Sequence, residues 1–513
     1  MVLVRRIALN IVATYGRTVF AFLCGLFTAR WALLALGKVD YGLYGVVGGL
    51  SFFITFFNSV LSGSVSRFYA VALGKGGEND GVGTMECRKW FNTALAIYTV
   101  VPLVAAAVCV PAGLWAVLNW LEIPPDRVGA CVMVFFLVTT TAVAAMFCTP
   151  FQAMFIAKQR IAELTIYSFV QTVVNVIVMY YMMTHPREWL SDYAIYRCLL
   201  NVVPMAIIVL RAVAVFPECR IRLRSIWNRE RVRQILGYAA WQVFGAGGAL
   251  ARTQLMQILV NRRFGPAANA SVTVSNTVNG YACVFTADLV SVFAPAVYTA
   301  CGAGDHSLMR RLADRVSRFG LAISLMVMLP LSLEMPEIMR LWLKTPPDHS
   351  AALCLLIMAS SLAGQAVAGH EIVSNALGRI SHYQMVSGLG LMTALPLAWL
   401  LMRLGCSFPT AVGGALLVSM LVSVAGRLAV ARREVGMGVR KWLCSAVLPV
   451  ASAALPAAAA GLLPRLWMAA SFGRVCATTA LVECVFLPLA WFVILDRADR
   501  HRAWHFLARA NRT

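Results

Sequence analysis

PECRIRLRSIWNRERVRQI (217–235) carries Arg220, Arg222, Arg224, Arg229, Arg231 and Arg233 against only Glu218 and Glu230. The residues on either side of it are overwhelmingly apolar. A basic island between two oily blocks implies a membrane protein with a cytoplasmic connector, because short loops rich in Lys and Arg stay on the cytoplasmic side. Five regions follow from that reading: an N-terminal bundle (1–216), the basic connector (217–235), a C-terminal bundle (236–435), an extra helix pair (436–496) and a basic cytoplasmic tail (497–513).

Composition agrees. The chain has 513 residues, of which 60% are hydrophobic and 13% charged, and its mean hydropathy is +0.75. A soluble protein carries about 25% charged residues, so this chain cannot cover a water-facing surface. The expected class is an all-α polytopic membrane protein. Apolar runs of membrane-spanning length exclude a β-barrel, whose strands are short and alternating. The net charge of +22 has two readings, either loops that obey the positive-inside bias or an excess that attracts an anionic substrate. Nucleic-acid binding is excluded, as the basic residues are spread over many short loops rather than one face. The 14 cysteines occur singly in apolar runs, which supports neither disulfides nor a zinc site.

Arg5 and Arg6 precede an apolar run in the manner of a signal peptide. Arg17 interrupts that run, however, and it continues to about Leu36 with no cleavage site, so it reads as a first transmembrane helix. Further helices are expected at 41–66, 90–118, 128–155, 163–184 and 192–216. After the connector they fall at 236–260, 271–301, 316–335, 351–374, 382–404, 409–431, 443–463 and 472–495, about 14 in all. With this topology 26 basic residues fall inside and 10 outside. Both termini are therefore expected in the cytoplasm, with Arg262 and Arg263 the one outward pair against the trend.

An internal repeat is visible. An offset of 228 carries Gly37 onto Gly265, Gly74 onto Gly302, Gly76 onto Gly304, Phe91 onto Phe319 and Pro102 onto Pro330. Six helices per repeat give both halves one orientation. Such parallel repeats are related by an axis along the membrane normal, with the substrate path between them. The last two helices lie outside the repeat. Pro150, Pro204, Pro295 and Pro330 interrupt helices and mark packing kinks or bends.

Four stretches resemble a known family. They are LGKVDYGLYGVVGGL (36–50) running into SVSRFYA (64–70), FAPAVYTACGAGD (293–305), EIMRLWLKTPPDHS (337–350) and SNALGRISHYQMV (374–386). Together they are similar to the polysaccharide (Wzx-type) flippase family of the multidrug/oligosaccharidyl-lipid/polysaccharide exporter superfamily, over about residues 5–435. The resemblance implies two six-helix bundles around a central cavity. It also implies alternating-access movement of a lipid-linked, undecaprenyl-diphosphate glycan across a bacterial cytoplasmic membrane, in which each bundle would rock about the 217–235 connector. Implied partners are the anionic glycan lipid, membrane lipids and glycan polymerases or ligases. The fourteen helices also resemble the lipid II flippase branch, and a cation-coupled multidrug exporter of the same superfamily is the other alternative.

No enzyme constellation is present: there is no Walker loop, His-Glu-x-x-His or Gly-x-Ser-x-Gly, and the histidines are scattered. No cofactor is expected beyond a coupling proton or sodium ion. A membrane-embedded glycan polymerase would want a large outer loop, which the topology lacks. Arginine is the side chain best suited to diphosphate oxygens. Arg17 lies about ten residues into the first helix, on a stripe with Asn10, Thr14, Ala21, Cys24 and Thr28. A lipid-facing charge there costs several kcal/mol, so Arg17 faces a cavity or snorkels to the surface. Arg30, nearer the outer end, has the same two readings. Arg252 is deep in its helix at a depth close to that of Asp288. The two form either a structural ion pair or a phosphate-binding arginine and an ion-coupling carboxylate. Asn276 and Asn279 share a polar face of the helix that carries Asp288. Arg67, at the end of the second helix, is a cavity candidate through the family resemblance or an interfacial anchor. Glu371 and Asn375, one turn apart, read best as a solvated helix end. Arg197 and Glu483 are the remaining intramembrane charges of note.

Overall fold

The computed structural model describes residues 14–496 and residue 500, apart from 22, 26, 29–30, 33, 37–39, 41–42, 45–46, 49, 76–80, 122, 186–189, 221–227, 344–345, 379 and 437. It is all-helical among these residues. The elements used below are α1 (Phe52–Lys75), α2 (Gly81–Trp115), α3 (Val128–Ala157), α4 (Ile161–Thr184), α5 (Leu190–Val215), α6 (Arg229–Gly302), α7 (His306–Leu333) and α8 (Met335–Leu343). They continue as α9 (Ser350–Gln365), α10 (Ala368–Leu377), α11 (Ile380–Met392), α12 (Ala394–Arg403), α13 (Ala415–Val435), α14 (Leu448–Leu462) and α15 (Phe472–Leu489).

Among the described residues ten helices are long and apolar enough to cross a membrane, and the bent pair α9 and α10 makes an eleventh. These correspond to eleven of the expected fourteen. The first expected helix lies partly outside the described residues. The other two, α1 and the first part of α6, fall short because they are polar. The first carries Asn58, Ser59, Ser62, Ser64, Ser66 and Arg67, and the second Gln242, Arg252, Thr253, Gln254 and Gln257.

Several expectations are corrected. The second helix spans Phe52–Lys75 rather than 41–66, so Arg67 sits two turns inside it rather than at its end. Residues 261–270, expected as an outer loop, are helical, yet the chain turns back within α6, since Tyr238 near its start and Thr299 near its end both meet the Phe68–Gly74 stretch of α1. The helix expected at 351–374 is bent by 43° between α9 and α10, where there is no proline, whereas Pro150, Pro204 and Pro330 lie inside continuous helices.

The chain divides into two compact units, residues 1–243 with 294–305, and residues 244–293 with 306–513. Two of the three transitions fall within α6 and the third just after it, none of them in the connector. What is described of the connector is fastened to the first unit. Glu218, 1% exposed, pairs with Lys158 at 2.5 Å; Arg88 donates to the Arg220 carbonyl at 3.3 Å; and Arg231 reaches Glu86 at 3.2 Å. A buried, paired glutamate makes the entry to this segment an anchored turn rather than a free hinge. Asn228 then caps α6 by accepting from the Arg231 amide at 3.0 Å.

The first unit also shows the repeat directly. A Cβ on Gly74 would overlap the Thr299 carbonyl and the backbone at 302–303, and one on Gly302 would overlap the Val71 carbonyl. Val71 and Thr299, like Gly74 and Gly302, are separated by the repeat offset of 228. The contact is therefore self-reciprocal, as contacts across a two-fold axis are. It places the local pseudo-symmetry axis between these two glycines.

In the second unit the C-terminal pair α14 and α15 is part of the core. Trp442, Val450, Ala453, Ala457, Val482 and Phe486 bury themselves with Leu321, Ala322, Ala366 and Val367. Charges fasten both ends. Glu334, 1% exposed, accepts from Arg474 at 2.8 Å, Arg465 at 3.2 Å and Thr478 at 3.3 Å. At the other end Arg318 grips Asp496 through two bonds of 3.0 Å.

Substitutions at Gly302 and Glu334 test these contacts. Gly302→Val forces apart two backbones in contact and lowers the thermal midpoint of the purified protein, with a loss of about 1–3 kcal/mol; Gly304→Ala, at a site open around its Cβ but with φ +76°, costs only about 1 kcal/mol. Glu334→Gln strands two guanidiniums and costs about 3 kcal/mol by the same measurement. Burial works to raise the Glu334 carboxyl, but the bonds from Arg474 and Arg465 outweigh it and hold it below the usual carboxylate range. A lowered folded-state value means that this stability is complete above about pH 4.3 and lost as pH falls through the depressed value.

Candidate substrate-binding site

Each unit holds its own group of interior arginines. In the first unit Arg67 is 8% exposed and its guanidinium lies near two rings, 4.8 Å from the centroid of Phe68 and 4.9 Å from that of Tyr238. Phe68 stacks on Trp90 at 4.5 Å and 18°. Arg231 covers the Trp90 ring at 5.5 Å and pairs with Glu86. Arginines thus flank a pair of stacked rings across α1, α2 and the start of α6, and cation–π attraction contributes to holding each guanidinium. Arg17 is half-buried in the helical stretch that begins at residue 14. Arg30 lies outside the described residues.

In the second unit glycines let the helices close enough for polar side chains to meet. Gly248 of α6 lies against the backbone of Gly388 on α11, Gly245 against the Gln384 side chain, and Gly390 of α11 against the backbone of Ser423 on α13. Beside these contacts Arg252 donates to the Ser360 hydroxyl at 2.6 Å and to the Leu416 carbonyl at 2.9 Å. Ser360 itself donates to that carbonyl at 3.2 Å. Arg252 makes no ion pair with Asp288 among the described residues; its bonds run to α9 and α13.

Arg427, a residue that the sequence reading passed over, is 8% exposed. It donates to Ser387 at 2.5 Å, pairs with Glu371 at 3.7 Å and covers the Tyr383 ring at 5.8 Å. It is near enough to Arg252 for the two charges to repel. Glu371 is thus an ion-pair partner rather than a merely solvated helix end. The available signal was an arginine in the middle of an apolar run, the same signal that drew attention to Arg17 and Arg252. Asn276 and Asn279 are half-buried on α6, and Asn279 accepts from Cys283 at 3.9 Å. Asp288 is half-buried two to three turns further on, and its carbonyl accepts from Ser291 at 2.7 Å. Arg197 reaches Asn175 at 3.4 Å. Arg252 and Arg427 thus both belong to the second unit, each with its own partners, and Arg67 belongs to the first. Among the described residues no three His, Cys, Asp or Glu side chains gather as a metal site would require.

No family model matches the chain, and no curated protein matches it in sequence. Solved structures do. A proline-to-alanine mutant of a MATE protein superimposes with a TM-score of 0.70 at 12% identity, covering 85% of this chain and 96% of that one. A MOP superfamily transporter from Pyrococcus furiosus, described by the reverse polarity of its binding pocket, gives 0.67 at 11%, covering 85% and 95%. The Vibrio cholerae MATE transporter VcmN in its bent form gives 0.62 at 14%, covering 86% and 99%. The chain therefore has the fold of the MATE and MOP transporters, a helical multi-pass membrane fold built as two bundles.

The hydrogen bonds around Arg252 set an expectation. Replacing it with methionine leaves Ser360 and Leu416 bonded to each other, so Arg252→Met keeps the fold at a cost of about 1 kcal/mol. Arg427→Met gives up its bond to Ser387 and a pair with Glu371 whose carboxylate is 42% exposed, and costs about 2 kcal/mol, most of it from the lost charge-assisted bond. Thermal midpoints of the two purified variants check the contrast.

Proposed function

We propose that this protein is a flippase that carries a lipid-linked, diphosphate-bearing oligosaccharide across a bacterial cytoplasmic membrane by alternating access. Its termini would lie in the cytoplasm, and glycan polymerases or ligases would act on its product. The observation that carries the reading is the sign of the interior charge. The second unit holds Arg252 half-buried and Arg427 buried, with a carboxylate, Glu371, paired to the latter. The first unit buries Arg67 among aromatic rings. A diphosphate brings negative charge that guanidinium donors bind through two parallel hydrogen bonds. The fold supports a membrane transporter of the MOP type, and movement of a preformed amphiphile needs no covalent step. Arg17, Arg30, Asn276 and Asn279 would complete the polar path, and Asp288 would bind the coupling proton or sodium ion.

A second reading has specific support. One similar structure is an outward-facing multidrug resistance MATE transporter, with a TM-score of 0.66 at 11% identity. Export of a cationic drug would favour carboxylates in the cavity, and the arginines weigh against it. A lipid II flippase shares the diphosphate and would be separated by arrest of wall synthesis.

The test is the leaflet distribution of lipid-linked glycan in cells depleted of this protein. Under the proposal it accumulates on the cytoplasmic face, wild type restores export, and Arg252→Met, although folded, lowers export at least about tenfold, the equivalent of one lost charge-assisted contact of about 1.4 kcal/mol. Normal sidedness together with sensitivity to cationic drugs would assign the protein to drug export.

A further inference from the structure

The bend between α9 and α10 is built from parts that match one another. Where the helix breaks, the Ala366 carbonyl accepts the Trp442 indole N–H at 2.7 Å. On the far side of the break the Gly369 amide donates to the Ser317 hydroxyl at 3.1 Å. Two backbone groups that a straight helix would pair internally are thus held by side chains from neighbouring elements, as an interrupted helix in hydrocarbon requires. One residue further on is His370, 1% exposed. Its ring stands edge-on to Trp442, with centroids 6.0 Å apart at 82°. Neither ring nitrogen has a hydrogen-bond partner among the described residues.

We propose that His370 is a proton-binding site and that its protonation releases the Trp442 latch, so that the α9–α10 bend works as a proton-operated hinge. A neutral imidazole without partners is tolerated in this packing. An imidazolium is not, since a buried charge requires a counter-charge or water. The carboxylates and cations on the packed elements are already engaged or lie at the membrane face. Glu371 pairs with Arg427 of α13, and Arg318 of α7 with Asp496. Asp314 of α7 lies within the electrostatic reach of Arg318 and Lys441, while Arg440 and Lys441 are exposed and α11 adds only His382. A proton taken from water by either ring nitrogen therefore drives the ring out of its contact with Trp442 toward solvent. The Ala366 carbonyl loses its donor as the indole follows. Histidine suits the role because its ordinary pKa lies near physiological pH, and broken helices are where transporter folds place ion sites. The inference goes beyond the cargo assigned above and holds for any cargo.

The test is hydrogen–deuterium exchange of the full-length protein in nanodiscs of phosphatidylethanolamine and phosphatidylglycerol, followed over residues 362–377 and corrected for intrinsic pH dependence. Wild type should exchange roughly tenfold faster at about pH 5.5 than at about pH 8, local opening being what such exchange reads. His370→Gln should show no such difference, and Trp442→Phe should exchange fast at both values. A segment equally protected at both pH values in wild type would overturn the proposal whether or not the glutamine variant folds. So would a pH response that persists in folded His370→Gln. No cargo is present in the assay, so its failure would leave the flippase reading standing.

Discussion

Hydrocarbon offers no hydrogen bonds, and every polar group that enters it must find a partner within the protein. That constraint accounts for most of what is irregular here. Where α9 ends and α10 begins, the indole of Trp442 and the hydroxyl of Ser317 take the two backbone groups freed by the bend. Where Arg252 enters the second unit, it meets a serine and a main-chain carbonyl. Where Glu334 is buried, two arginines and a threonine surround it. Each polar intrusion comes with a partner from a different helix, so the same bonds that satisfy the group also fix helix against helix.

Such bonds need short distances between helices, and glycine supplies them. Gly248 against Gly388 and Gly390 against Ser423 bring α6, α11 and α13 to backbone contact. Association of membrane helices depends on this kind of packing, since lipid is as apolar as a leucine surface. The reciprocal pair Gly74 and Gly302 does the same in the first unit, and there it also records how the chain arose as two copies of one bundle.

The parts legible in the sequence were those governed by local chemistry. Apolar length revealed eleven spans, the offset of 228 revealed the repeat, isolated arginines in oily runs pointed to Arg17 and Arg252, and the family resemblance pointed to Arg67. What was not legible depends on residues far apart in the chain. Arg427 draws its meaning from Glu371 and Ser387, Glu334 from Arg465 and Arg474, and Asp496 from Arg318; none of these pairs has a helical or cross-strand spacing to betray it. Of the two readings of Arg252 and Asp288, the ion pair is not formed among the described residues. Equal depth in two helices does not make two side chains face each other, and Ser360 and Leu416 lay on the face that Arg252 meets. The reversal within α6 was legible from Gly265 and Pro266, but not that the residues around it keep helical geometry.

The buried charges differ in whether they can let go. Glu334 cannot leave its arginines without stranding them, and these bonds fasten one end of the α14–α15 pair within the second unit. Arg252 is placed differently. Its Nε has no partner among the described residues, and the carbonyl it bonds is also served by Ser360 and by Ser419 at 2.9 Å. If Arg252 turns toward a ligand, nothing it abandons is left unsatisfied. A guanidinium with spare donors, repelled by Arg427 and bonded to groups that do not depend on it, is poised to exchange its present partners for an anion. That asymmetry between fixed and exchangeable charge is the physical ground on which Arg252, and not Glu334, is proposed for the transport path.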